Sequence, residues 1–561
     1  MVGLNRFSGE SAMADFPFKA GYLPPASEMF EALRAEKLPQ WGQTLVRQDS
    51  DHERVDALSS HFSEEQRVQA EFKGGPSPLA RWKASGAPPA ADVRAAREAV
   101  YASGREANSF NPVLARWVME LAGGAGARIL DPSAGWGDRL VAALASQAAC
   151  YHGFDPNPAL APAYERMIAE LPSTVEARVE CLPFEDAELA GKYDLVLTSP
   201  PYGDFEVYVA PGQAGFEQQS VARHPDPASW LANFYRPYLA KAYGALRPGG
   251  FFVLYVEDVR GFPLRTEAKK FLISLGGVAA SAFKYRTDWG TKKGRERMAL
   301  AWFRPAGRLS PPVELSAAPG GLLLAREDRL FAGTKQRAAL DFMREAAGGA
   351  KQIMYSGTWD GYGAIACALA AGKLGLGSVS VVCRCGIGGK IVPGSRQLQY
   401  LLGLSAKDNF GGRWAGKVIF TADWGELVET AKRLEGPDVF WAPLGLLDPR
   451  HVELLTAALL AAWPADVPRG RVFVAVGSGL LMSALAGVFD EVVGVPACLA
   501  PKRLEKIRAV AAKFANVRLD TKAHPPVACP APAVHGYDSK AYDAAAADGR
   551  AGDVVWVCGA G

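Results

Sequence analysis

The decapeptide Tyr193-Asp194-Leu195-Val196-Leu197-Thr198-Ser199-Pro200-Pro201-Tyr202 constrains the fold more than any other stretch of the chain. An apolar run of strand-forming residues ends abruptly in Ser-Pro-Pro-Tyr. Proline lacks an N–H and fixes φ, so two in succession end the ladder at that point. Nearby carbonyls and the Ser199 hydroxyl are thereby left to face a cleft. Acceptors so placed suit an exocyclic amino group, and Tyr202 offers an aromatic face on which a planar base can stack. The tetrapeptide reads as a place for holding an –NH2 on a flat ring. An ordinary strand-ending turn has no need of Ser, two Pro and an aromatic in that order.

A second motif lies upstream. Arg128-Ile129-Leu130-Asp131-Pro132-Ser133-Ala134-Gly135-Trp136-Gly137-Asp138-Arg139 predicts a strand, a glycine turn and the start of a helix. Gly135 and Gly137 let the backbone approach a ligand closely. GxGxxG is absent, and no Gly-Lys-Ser/Thr follows, so neither a dinucleotide fingerprint nor a phosphate loop is present. Further on, Tyr151-His152-Gly153-Phe154-Asp155-Pro156 ends a second strand with a carboxylate, where ribose hydroxyls are commonly gripped. Candidate strands at 127–131, 150–155, 175–181, 193–198, 250–256, 279–286 and 298–303 alternate with helical stretches such as 112–122 and 229–246. Arg247-Pro248-Gly249-Gly250 is a tight turn feeding one of them. The alternation predicts an α/β fold with a doubly wound sheet, its ligands beyond the strands' carboxyl ends.

Together these residues resemble the S-adenosylmethionine-dependent amino-methyltransferases of DNA, in particular the phage and plasmid type, over roughly Ser109 to Pro305. That family builds its site from an F-x-P segment, a D-x-x-x-G-x-G turn and an [N/S/D]-P-P-[Y/F] tetrapeptide. The matching residues are Phe110-Asn111-Pro112, Asp131 to Gly137, and Ser199 to Tyr202. The resemblance implies a seven-stranded Rossmann-like domain that binds S-adenosylmethionine. It implies cofactor-binding roles for Phe110, Pro112, Asp131, Ser133, Gly135, Gly137 and Asp155, and for Asp186 in the Phe184-Glu185-Asp186 turn near the adenine. Ser199, Pro200, Pro201 and Tyr202 become the catalytic residues that hold the target base. The implied partner is DNA, with a flipped or single-stranded base, and the target amine is that of cytosine or adenine. RNA and protein glutamine amides fit the same slot. Asp204 and Glu206, just beyond the tetrapeptide, are candidate acceptors for the proton released.

With 561 residues, several domains are expected. A net charge of only +3 means that any nucleic-acid surface must be local. Lys284-Tyr285-Arg286, Trp289, Lys292-Lys293-Gly294-Arg295 and Arg297 suggest such a surface, a basic hairpin carrying aromatics. A solvated charged turn accounts for the same run equally well. The eight cysteines form no CxxC pair and no Cys/His cluster of zinc spacing, so no metal site is expected and buried free thiols are. No signal peptide or long apolar span is visible, and a soluble intracellular protein with no membrane partner is expected. Residues 1–108 read as a helical N-terminal extension broken by Gly/Pro punctuation, 109–305 as the methyltransferase-like domain, 306–321 as a linker, and 322–561 as a second α/β unit.

In that second unit, apolar candidate strands at 352–355, 378–383, 417–421, 439–443, 471–476, 491–495 and 553–558 predict a parallel sheet buried on both faces. Ala332-Gly333-Thr334-Lys335-Gln336-Arg337, Gly357 to Ala364, Val476-Gly477-Ser478-Gly479, Tyr537-Asp538-Ser539-Lys540-Ala541 and Val555 to Gly561 resemble, in order, five segments of pyridoxal-phosphate enzymes of the tryptophan-synthase β fold. The aminocyclopropanecarboxylate deaminase and D-cysteine desulfhydrase branch is the closest. The resemblance implies pyridoxal phosphate held by Lys335 as its Schiff-base lysine, and a half able to dimerise. Two departures oppose an active site. Thr358-Trp359 stands where the family has Ser-Asn, and Leu480-Leu481 follows Gly479 where a phosphate cradle needs Gly-Thr. A non-catalytic scaffold or small-molecule sensor is therefore expected ahead of an active enzyme. The alternatives are a bifunctional enzyme that hypermodifies a base, and a pure binding module with a vestigial cofactor pocket.

Overall fold

The computed structural model describes residues 22–86, 93–102, 109–259, 261–288, 293–304, 309–358, 361–383, 385–386, 389–390, 396–405, 416–530 and 537–558. Trp289 and Lys292 of the basic hairpin, Trp359, and Gly559 to Gly561 lie outside the described residues.

Eight strands form the first sheet: β1 (Thr44–Arg47), β2 (Arg128–Asp131), β3 (Cys150–Phe154), β4 (Glu176–Glu180), β5 (Tyr193–Thr198), β6 (Leu246–Leu254), β7 (Val278–Thr287) and β8 (Glu296–Phe303). Their order is β1-β7-β8-β6-β5-β2-β3-β4. All neighbours are parallel except β8, which runs antiparallel to both β6 and β7. From β2 the chain winds outward through β3 and β4, then returns to lay β5 and β6 on the other side. The direction reverses between β2 and β5, and such a reversal opens a crevice at the carboxyl ends of the two strands.

Alternate residues of these strands feed two cores. Ile129, Leu195, Leu197, Phe251 and Val253 pack on one face, against Val113 and Leu114 of helix Pro112–Val118 and Leu140 and Val141 of helix Asp138–Leu144. Leu130, Val196, Phe252 and Leu254 pack on the other, against Leu239 of helix Arg236–Ala245 and Leu272 of helix Leu264–Ser274. Burial on both faces accounts for the continuous apolar runs. The N-terminal region is not purely helical. Its Thr44–Arg47 strand extends the sheet beside β7, and Trp41 stacks on Phe283 at 4.5 Å.

The second half carries ten more strands in two main sheets. β9 (Leu315–Ala317), β10 (Leu323–Arg326), β15 (Arg471–Val476), β16 (Glu491–Pro496), β17 (Val517–Leu519) and β18 (Val554–Val557) are ordered β9-β10-β18-β15-β16-β17. β11 (Gln352–Thr358), β12 (Gly377–Cys383), β13 (Gly416–Thr421) and β14 (Val439–Ala442) are ordered β13-β12-β11-β14. Within these two sheets only the β9/β10 pair is antiparallel. The stretch expected as a linker thus ends in a strand of this half, and Val313 before it is buried.

The halves share one apolar core. The Tyr400 ring stacks on Phe251 (5.4 Å, 10°), and Phe331 stacks on Phe303 (5.2 Å, 23°). Polar contacts surround them: Arg396 donates to the Ala122 carbonyl at 2.7 Å, and Arg247 to the Arg329 carbonyl at 3.1 Å.

Candidate functional site

Both sequence motifs fall at the crevice between β2 and β5. The first turn is held from inside. Asp131 ends β2 wholly buried, and its carboxylate accepts from Arg139 Nε (2.7 Å), the Tyr151 hydroxyl (2.6 Å) and the Ser133 N–H (3.1 Å). It therefore braces the turn from behind and does not face the cavity. Gly135 follows at φ +58°, and a Cβ there would meet nothing nearer than the Ser133 carbonyl at 3.8 Å, so the backbone borders open space. Gly137, at φ +88°, starts the next helix, and a Cβ there would strike Met167 at 2.5 Å. It shapes the turn without lining the cavity.

Asp155 lies just past β3. It accepts from the Gly135 N–H and the Asn157 N–H, both at 3.0 Å, and loss of hydration pushes its carboxyl up to about 6. Asp138, just past the glycine turn, lines the cavity and is a residue that the sequence reading missed. Buried at 2% exposure, it accepts from the Ser59 hydroxyl at 2.6 Å and the Phe110 N–H at 3.1 Å. Ser63 reaches the Trp136 carbonyl at 2.7 Å. The N-terminal region and the Phe110 segment are thus tied to the glycine turn. Pro112 is buried at the first position of its helix, capped by Asn111, and is not a cavity residue.

Tyr238 joins the two motifs. Its hydroxyl lies 2.8 Å from Ser133 Oγ and 2.6 Å from Thr198 Oγ1, so the glycine turn and the end of β5 share one partner. Beyond Thr198, the half-buried Ser199 hydroxyl has no hydrogen-bond partner among the described residues. Pro200 is buried and Pro201 half-buried. The Tyr202 hydroxyl accepts from the Glu257 N–H at 3.3 Å, which fixes its ring. Gly203 takes φ +62° against Phe262, whose ring would lie 2.2 Å from a Cβ. No larger residue fits there.

A single cavity of about 430 Å³ is lined by Phe110, Ser133, Gly135, Asp155, Ser199, Pro201 and Tyr202, among others. Pro112, Asp131, Gly137, Pro200 and Asp186 do not line it. Asp186 is displaced by one residue of phase. It turns outward to an ion pair with Arg223 at 2.8 Å, while Glu185 lines the cavity and loss of hydration raises its carboxyl. Lys241 fixes that turn by donating to the carbonyls of Phe184, Glu185 and Ala187 at 2.6–2.8 Å. Glu206 is a cavity residue held by the Tyr208 hydroxyl, whereas Asp204 is exposed outside it. An open glycine turn, a carboxylate at the ribose position and an aromatic flank fit an adenosine-bearing cofactor.

The second half presents the opposite case. Lys335 borders a cavity of about 20 Å³, lined by Gly333, Thr334, Tyr362, Leu455, Leu480, Leu481 and Cys558 as well. That is room for about one water molecule. Burial lowers the Lys335 ammonium, which suits a Schiff-base lysine. Pyridoxal phosphate nevertheless does not fit this cavity, which among the described residues is walled by Leu480 and Leu481.

No family model matches the chain, and no curated protein does. Solved structures similar to it include a methyltransferase from Pyrococcus furiosus (18% identity, 35% of this chain and 84% of that one, TM-score 0.25). Others are an ACC deaminase homologue (18% identity, 46% and 91%, TM-score 0.32) and a hydrogen sulfide-producing enzyme from Fusobacterium nucleatum (15%, 45% and 96%, TM-score 0.33). Among the described residues no helix is long and apolar enough to cross a membrane.

Proposed function

We propose that the chain is an S-adenosylmethionine-dependent methyltransferase acting on the exocyclic amino group of cytosine or adenine in DNA. One observation carries the reading: the Gly135–Asp155 side and the Ser199–Tyr202 side of the sheet's reversal point open into the same cavity. S-adenosylmethionine, when bound, supplies an electrophilic methyl group. The Asp155 carboxylate accepts from ribose hydroxyls, and Phe110 with the Gly135 backbone closes around the cofactor. Across the cavity the free Ser199 hydroxyl accepts from the target amine, and the Tyr202 ring stacks on its base. The amine lone pair forms the N–C bond as the S–C bond breaks, so positioning matters more than acid–base strength. The proton then released has a carboxylate, Glu206, in the cavity wall.

The test is incubation with isotopically labelled S-adenosylmethionine and a panel of DNA and RNA substrates, followed by digestion and mass identification of the nucleoside. N4-methyldeoxycytidine or N6-methyldeoxyadenosine is expected. Label found only in RNA or in protein would overturn the choice of DNA.

A further inference from the structure

Charges in the cavity wall are unequally satisfied. Its carboxylates are nearly all engaged within the protein. Asp138 and Asp155 hold backbone N–H groups, and Glu206 takes the Tyr208 hydroxyl. Glu257 pairs with Arg265 at 3.1 Å, and Asp258 accepts from the Thr266 hydroxyl at 2.7 Å. Glu185 belongs to the turn after β4, at the opposite end of the sheet from β8.

The cations differ. Lys73, Arg139, Arg295 and Arg297 line the cavity, and only Arg139 makes an ion pair among the described residues. Two cations close by in the same hairpin are paired, Lys284 with Glu296 at 3.4 Å and Arg286 with Asp288 at 3.1 Å. Lys73 is moreover held in place. Its N–H donates to the Phe205 carbonyl at 2.8 Å, and its ammonium lies over the Phe205 and Phe72 rings at 4.8 and 5.3 Å. Its φ of +56°, with Gly74 at +66°, belongs to the tight turn closed by the Gly75 N–H on the Phe72 carbonyl at 3.1 Å, which fixes where its side chain starts. Arg297 is likewise carried over the Tyr285 ring at 4.5 Å, on strand β8.

An amine-bearing base alone offers no counter-ion to three cations that have none among the described residues; the phosphates on either side of it do. We propose that Lys73, from the N-terminal region, and Arg295 with Arg297, from the β7–β8 hairpin, grip the phosphates that flank the target nucleotide. The substrate class is therefore a nucleic-acid strand rather than a free nucleoside or a protein amide. The inference rests on the methyltransferase reading and adds the residues that hold the strand.

The experiment measures binding of a fluorescein-labelled single-stranded oligodeoxynucleotide by anisotropy across a salt series. Wild type is expected to lose affinity with a log–log slope near −2, from about 0.7 per phosphate contact. Lys73→Gln with Arg295→Gln, both at exposed side chains, is expected to bind roughly tenfold more weakly, with a slope shallower by about 1.4. Lys73→Arg with Arg295→Lys keeps the charges and is expected to keep the slope. An abasic strand is expected to keep the slope as well. A wild-type slope near zero, or an unchanged slope in the Gln variant, overturns the inference. If labelled methyl reaches nucleosides while the slope never changes, only the phosphate grip fails. If the slopes behave as expected and no methyl is transferred, the methyltransferase reading fails alone.

Discussion

Two turns in this chain follow one plan and end differently. In the first half β2 runs into Pro132 to Gly137 and helix Asp138–Leu144; in the second β15 runs into Gly477 to Gly479 and helix Leu480–Ala486. Gly137 and Gly479 both open their helices with left-handed backbone, at φ +88° and +99°. The first turn faces about 430 Å³ of space, the second about 20 Å³. Backbone geometry has been kept in both, so the side chains after the glycines decide which crevice is open. In the second, Ser478 packs on Gly445, where a Cβ would lie 2.4 Å from it, and Leu480 is buried. A glycine turn thus sets the backbone of a crevice, and the side chains beside it set whether the crevice is open.

The most severe challenge to this contrast is Pro201→Ala combined with Tyr202→Ala, which removes the rigid wall and the stacking face of the open crevice. Methyl transfer is expected to fall by more than about a thousandfold, as loss of both alignment and base contact implies, with thermal unfolding little changed. Wild-type rates would discard the site. In the closed crevice, Leu480→Ala is expected to cost about 2–5 kcal/mol of stability by denaturant unfolding, because a packed leucine leaves a void. A change below about 0.5 kcal/mol would mean that the crevice is not filled as described.

Asp155→Asn sharpens the comparison from the cofactor side. Calorimetry with S-adenosylmethionine is expected to show roughly ten- to a hundredfold weaker binding, the usual cost of losing a charged acceptor. The same variant carries a pH signature. The Asp155 carboxyl stands near 6 in the folded chain and at 3.8 when free, so folded protein holds more protons between those values. Its ionisation therefore lowers stability as pH rises through that window. The variant is expected to be more stable than wild type at pH 7, with the advantage vanishing near pH 4. The smallest effect is expected from pyridoxal phosphate. Added to wild type or to Lys335→Ala, it is expected to give the same absorbance spectrum, and a Schiff-base band lost in the variant would reopen the second crevice.

Much of this was legible in the residues. The seven expected strands of the first half appear, most within a residue or two; the central ones, such as Tyr193–Thr198, are buried on both faces and read as continuous apolar runs. Thr44–Arg47 escaped notice because four residues with two polar ends carry no period, and only β7 beside them makes them a strand. Asp186 stands one position from Glu185, the carboxylate that lines the cavity, because a short turn pinned by Lys241 sets which of the two faces inward. Asp131 was placed at the cofactor by resemblance, while its three internal partners lie far apart in sequence or within its own turn. Lys73 gave no signal beyond the two glycines after it, and its meaning comes from Phe205, over a hundred residues away.

The stacking of Tyr400 on Phe251 and of Phe331 on Phe303 has a consequence for dividing the chain. Severing the polypeptide after residue 305 would leave two fully buried phenylalanines facing water, an invitation to clump. The carboxyl-terminal half thus serves the other as a keel: its Tyr400 and Phe331 rings keep Phe251 and Phe303 from water.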